Sequence, residues 1–175
     1  MKFVPIAEDR QFFSSITMKK SMMNRVRPGL NIMVPVDFSK QSEKALLFAA
    51  GLSKSLGMDL FIVHVVHDPA EDPGYYRHRH MKKLARRIED DAHEMMTAFL
   101  EKIVRKNPKI PEVKKAEVAM VVGLPITRII ELSEQSKPHM IVMGSQGRTG
   151  LSRILLGSKA EGVLRLAKVP VTIVK

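Results

Sequence analysis

Apolar residues along this chain fall into two kinds of cluster that take turns: short unbroken runs rich in β-branched side chains, and longer segments in which apolar positions recur every three or four residues. The first run, Leu30-Asn-Ile-Met-Val-Pro-Val36, is set off by Pro28-Gly29 before it and by Asp37 and Ser39 after it, and it predicts a strand. Ser39 or Ser42 is placed to cap a helix in which Ala45, Leu46, Ala49, Leu52 and Leu56 keep helical spacing until Gly57 supplies a stop. Leu60 to Val66 predicts strand two, and the turn-rich Asp68-Pro-Ala-Glu-Asp-Pro-Gly74 follows it. From Arg77 onward, Met81, Leu84, Ile88, Ala92, Met95, Phe99 and Ile103 mark one face of a long helix that ends near Asn107-Pro108. Lys115 to Val122 predicts strand three, Gly123 breaks it, and Pro125 suits the first turn of a helix through about Glu134. Met140 to Met143 and Val169 to Val174 predict strands four and five, with the last helix opening between them at Gly157-Ser158.

Strands that alternate with helices of this size pair in parallel, and their crossovers put helices on both faces of the sheet. The fold class is therefore doubly wound α/β. With 175 residues, 45% of them hydrophobic, the chain suits one core. Residues 1–29 carry six basic and two acidic side chains and read as a basic, flexible N-terminal extension; residues 30–175 form the domain. The absence of cysteine excludes disulfides, thiolate metal sites and thiol nucleophiles. No apolar stretch of signal-peptide length precedes Arg10, and no run approaches the ~20 residues that span a bilayer, so a cytoplasmic protein is expected.

A net charge of +11 raises nucleic acid or an anionic membrane as a partner. Against this, the basic residues are dispersed over the extension, the long helix and the termini, and two tyrosines with no tryptophan offer little for base stacking. Nucleic acid and membrane contact by the basic extension are the disfavoured partners.

The candidate chemistry lies after strand four. Gly144-Ser-Gln-Gly147 turns the chain without a Cβ clash, and Gly157-Ser158, after nine intervening residues, opens a helix whose first amides lack partners. Both features gather N–H groups that favour an anion, and each hydrogen bond to a charged phosphate contributes about 1.5–3 kcal/mol. Ser158-Lys-Ala-Glu161 also fits a capping box, a purely structural use of the same residues. Walker and dinucleotide glycine patterns are missing, and Ser145 lacks the upstream glycine of a nucleophile elbow. Asp37, ending strand one, suits a base amino group, a magnesium ion or a helix cap, with no second carboxylate placed to make an acid/base couple. His64 and His67 read as structural or loop polar groups, and His78 and His80 as part of a solvated basic stretch rather than metal ligands.

The GxxG-x9-GS pattern, the opening Asn31-Ile-Met-Val-Pro-Val-Asp37-Phe-Ser, the strand-end His64-Val-Val and the closing Val169-Pro-Val-Thr-Ile-Val together resemble the universal stress protein family of the ATP-binding type, over residues 30 to 175. The resemblance implies an adenine nucleotide alpha hydrolase-like sheet of strand order 3-2-1-4-5. Winding then reverses between strands one and four, and ligands enter above their carboxyl ends, with Asp37 and Gly144 on opposite lips.

Carried over by position, the resemblance implies ATP as ligand, with Mg2+ as its optional companion. Asp37 and Val65 would contact adenine, and Pro35 and Gly144 would flank the ribose. Met143, Gly144, Ser145, Gly147, Arg148, Thr149 and Gly150 would enclose the phosphates with Gly157, Ser158, Lys159 and Ala160. Gly150 stands where the family commonly has asparagine, and Arg148 adds a charge there. The implied role is a nucleotide-dependent regulator or sensor in stress response. The competing accounts are slow ATP hydrolysis or nucleotidyl transfer in the same crevice, against which the missing SGGxDS-type loop counts, and an interaction dimer without nucleotide. Strand five is too apolar to end a sheet in water, which predicts a homodimer paired through Val169–Val174.

Overall fold

A computed structural model describes residues 26–66, 81–147 and 156–175. Five parallel strands, β1 (Asn31–Pro35), β2 (Asp59–Val66), β3 (Glu117–Val122), β4 (Met140–Gly144) and β5 (Val171–Val174), form one sheet in the order β3-β2-β1-β4-β5. Helices α1 (Lys40–Leu56), α2 (Met81–Lys106), α3 (Pro125–Ser136) and α4 (Ser158–Leu166) are the crossovers. The doubly wound architecture and its strand order are those expected, with the winding reversing between β1 and β4.

Unbroken apolar runs become strands here because both faces of the sheet are covered. Along β1 and β2, Ile32, Val34, Leu60 and Ile62 enter one core, with Leu46 of α1 and Met96 and Ile103 of α2. The intervening Met33, Phe61 and Val63 enter the other, with Ile129 and Leu132 of α3 and Val163 of α4. Residues 26–29, ahead of the expected domain start, are packed onto it: Val26 is buried in the second core and the Gly29 amide donates to the Lys137 carbonyl at 2.7 Å.

Local signals set the helix ends. Ser39, not Ser42, caps α1, its hydroxyl accepting from the Ser42 amide at 3.1 Å, and Gly57 stops it in the left-handed region at φ 64°. Three expectations shift. The stretch expected to begin strand three at Lys115 is preceded by a 3-10 turn, Pro111–Lys115, that buries Val113, and the strand starts at Glu117. β5 starts at Val171 because Pro170 has no amide to pair, although its carbonyl accepts from Ile141. The Ser158–Glu161 capping box does not form: Gly157 is the N-cap, Ser158 is already helical, and the Glu161 amide bonds the Gly157 carbonyl at 2.9 Å. The Arg77 helix start, the 68–74 turn and His67, His78 and His80 lie outside the described residues.

Candidate functional site

The switch point between β1 and β4 opens a crevice at the carboxyl ends of those strands, and two chain segments build it. On the β1 side, Pro35 is buried as the last strand residue and the Val36 amide donates to the Val63 carbonyl at 2.8 Å. Asp37 follows. Its Oδ1 accepts from the Ser39 amide at 3.1 Å, which bends the chain into α1. Its Oδ2 lies so close to the other side of the crevice that a Cβ added at Gly147 would sit 2.8 Å from it. The Asp37 carboxylate therefore lies against the bend that follows β4.

Phe38 adopts φ 65°, a region that costs a bulky side chain about 1–3 kcal/mol. Ring contacts hold it there: its centroid is 4.2 Å from that of His64 and 5.5 Å from that of Phe99 on α2. His64 Nδ1 donates to the Val36 carbonyl at 2.8 Å, so the histidine braces the end of β1 beside the half-buried Val65. Sequence reasoning missed Phe38 because left-handed backbone at a phenylalanine has no composition signal.

On the β4 side, Met143 is buried and Gly144 closes the strand opposite Val174. Gly144 is required by proximity: a Cβ there would lie 2.9 Å from the backbone carbon of Gln41, in the first turn of α1. Gln41 itself was not singled out by sequence; its Oε1 is buried without a hydrogen-bond partner among the described residues. The buried Ser145 has its main chain fully engaged, its amide donating to the Val174 carbonyl and its carbonyl accepting from the Gly157 amide, each at 2.8 Å. Two of the expected amide donors, those of Ser145 and Gly157, are therefore held within the chain.

What remains for an anion is the start of α4. The amides of Ser158, Lys159 and Ala160 precede the first intrahelical acceptor and have no main-chain acceptor among the described residues. The Gly157–Ser145 bond brings that helix start against the bend after β4, so its positive dipole end faces the crevice. Arg148, Thr149 and Gly150 lie outside the described residues.

Charge elsewhere leaves the site untouched. Arg27 is raised above its ordinary range by its hydrogen bond to Asp59, and Lys168 by its hydrogen bond to Glu134; both are exposed and lie at the opposite end of the sheet. Among the described residues no group of three His, Cys, Asp or Glu could hold a metal, and no helix is long and apolar enough to cross a membrane.

Comparison with known proteins agrees with this architecture. The profile of the universal stress protein family matches residues 30–175. Universal stress protein MJ0531 of Methanocaldococcus jannaschii is 31% identical over 171 residues, covering 95% of this chain and 96% of the relative. A universal stress protein solved in complex with cAMP superposes with TM-score 0.55 at 26% identity, covering 83% of this chain and 96% of the other. The protein from Archaeoglobus fulgidus solved in complex with dAMP does so with TM-score 0.52 at 25% identity, covering 85% and 98%. With a family profile spanning nearly the whole described chain, and the sheet order, the Asp37 turn and the glycine-bounded bend all in place, this chain belongs to the universal stress protein family.

Proposed function

We propose that the crevice binds an adenine nucleotide, ATP by preference, and that the protein acts in stress response as a nucleotide-dependent regulator. The observation that carries this reading is the meeting of opposite chemistries at the β1–β4 switch point: a carboxylate at Asp37 for a base amino group, and, for phosphate, amides at Ser158–Ala160 that have no main-chain acceptor among the described residues. Pro35, the last residue of β1, and Gly144, the last of β4, would flank the ribose, and Val65 would meet the base. The relatives in complex with cAMP and dAMP support the adenylate class of ligand. Main-chain donors and one carboxylate suit capture better than turnover, since capture requires no acid/base couple. Mg2+ would enter with the phosphates of ATP and not through a protein cage.

Titrating ATP while following thermal unfolding tests this. At a hundredfold excess over Kd the native state gains about 2.7 kcal/mol, a rise in Tm of about 5–10 °C for a chain of this size. An unchanged Tm together with no heat of binding would refute the nucleotide claim. Release of phosphate that disappears in Asp37→Ala would replace the regulator with an enzyme.

The same chain self-associates. Among the described residues β5 pairs with β4 alone and its other edge is open, with all four residues only half-buried. Beside it α1 presents Phe48, 46% exposed, and the half-buried Leu52. Glu43, which reaches Lys102 of α2 at 2.6 Å, marks the flank of α1 that faces α2; Leu52, nine residues on, lies about 180° round from it. The apolar flank therefore faces away from α2, towards β5, and a second copy related by a two-fold axis covers edge and flank together. Sedimentation of the native chain is expected to give a dimer at micromolar concentration, weakened at least about tenfold by Phe48→Glu. A native monomer would exclude this association.

A further inference from the structure

Basic residues that are dispersed in the sequence are gathered by the fold at the end of the sheet opposite the crevice. α2 ends on Arg105 and Lys106, Lys109 follows, and Lys114 and Lys115 lie on the 3-10 turn; all are exposed. That turn rests against α1, α2 and β2. The exposed Lys54 of α1 joins them: eleven residues after Glu43 it lies about 20° round the helix, on the flank that faces α2.

Helix ends attract basic side chains through the dipole, which accounts for Lys54, Arg105 and Lys106. It does not account for Lys109, Lys114 and Lys115, which lie outside any α-helix. The ion pairs of the described residues, Arg27–Asp59, Lys102–Glu43, Arg128–Glu131 and Lys168–Glu134, use none of the six. Residues 101–117 hold three acids, Glu101, Glu112 and Glu117, half as many as these six bases, so the corner keeps a net positive charge.

The character of the patch selects its partner. Among the described residues none of the exposed large apolar side chains lies on the end of α2 or on the turn, and Leu56 at the end of α1, 51% exposed, lies about 160° round that helix from Lys54, so charge comes without the apolar anchor that stable docking to a bilayer needs. Among the described residues no aromatic lies on the end of α2 or on the turn for stacking, which a single strand would use. A duplex presents regularly spaced phosphates that need charge alone. We propose that this corner docks the phosphate backbone of a double-stranded nucleic acid, without sequence preference and at a site separate from the nucleotide crevice.

The test uses the full chain and a short labelled duplex, with anisotropy followed from about 50 to about 200 mM salt. The logarithm of affinity is expected to fall linearly with that of salt, with a slope of about −0.9 for each phosphate engaged. The double change Lys114→Glu, Lys115→Glu is expected to flatten that slope by about two and to weaken binding at low salt more than tenfold. Both positions are exposed, and the ATP-induced rise in Tm, read on the same variant, reports an intact fold and an independent crevice; Lys114→Gln, Lys115→Gln gives the same direction without added negative charge. No binding at low salt, or a slope that the double change leaves alone, would overturn the proposal, the latter by assigning binding to residues 1–29. Binding to phosphatidylserine vesicles, lost in the same variant, with no binding to duplex would assign the patch to a membrane instead.

Discussion

Gly144→Val is expected to lower thermal stability sharply and to abolish nucleotide-dependent stabilisation with it. A Cβ at this position would meet Gln41 at 2.9 Å from its backbone carbon and its Cβ and at 3.0 Å from its carbonyl oxygen. Main chain inside a capped first turn cannot swing aside as a flexible side chain would, so relief requires α1 and β4 to separate. Overpacking of this kind costs about 1–3 kcal/mol for small additions, and a branched side chain belongs at or above the upper end, a fall in Tm of about 6–12 °C. Gly51→Ala is the matched control: it lies in the middle of α1 with nothing within 4 Å of the added Cβ. That change should stabilise by up to about 1 kcal/mol through helix propensity. Equal responses at the two glycines, measured by thermal denaturation, would show that the close approach of β4 to α1 does not govern stability.

Asp37→Ala is expected to weaken adenine nucleotide binding about 10- to 150-fold, the equivalent of one hydrogen bond to a charged group at about 1.5–3 kcal/mol. Because Oδ1 also holds the Ser39 amide, the alanine variant loses a helix-starting bond as well. Asp37→Asn separates the two uses. The asparagine carbonyl still accepts from Ser39 and should preserve Tm, whereas its amide group opposes another amino donor in place of a full negative charge, so the affinity should still fall. Calorimetric titration of both variants checks this: an asparagine variant that binds as the native chain does would leave Asp37 a structural role alone.

Strands β1 to β4 were legible because each centres on a buried run whose alternate residues serve two cores, as Ile32 and Met33 do. Gly57 was legible, and the cap of α1 was narrowed to Ser39 or Ser42, because both signals are local, one a backbone conformation and one a side chain three residues from its amide. The beginning of β3 was not, since Val113 buries itself from a 3-10 turn and the sequence Lys114-Lys115-Ala116 does not distinguish that turn from a strand. The capping pattern at Ser158 was present on paper and unused, because Gly157 reached the cap position first by bonding Ser145.

The crevice was legible in its composition and less so in its wiring. Glycines and Asp37 mark where an anion and a base would enter, but which amides are free depends on contacts across the sheet. Val174 reaches Ser145 from a strand almost thirty residues away, a separation at which no local pattern speaks. Phe38 is similar: only the rings of His64 and Phe99, brought in from β2 and α2, hold its backbone in the left-handed region.

The Ser145–Val174 bond joins two surfaces otherwise treated apart. The carbonyl that fixes the bend leading to the amides proposed for an anion belongs to the outermost strand, the same strand a second subunit would grip. A change at that margin would therefore reach the mouth of the cleft through the Val174 peptide group as well as through the β4–β5 pairing. Thermodynamic reciprocity then requires that whatever factor assembly imposes on ligand affinity, ligand imposes on assembly.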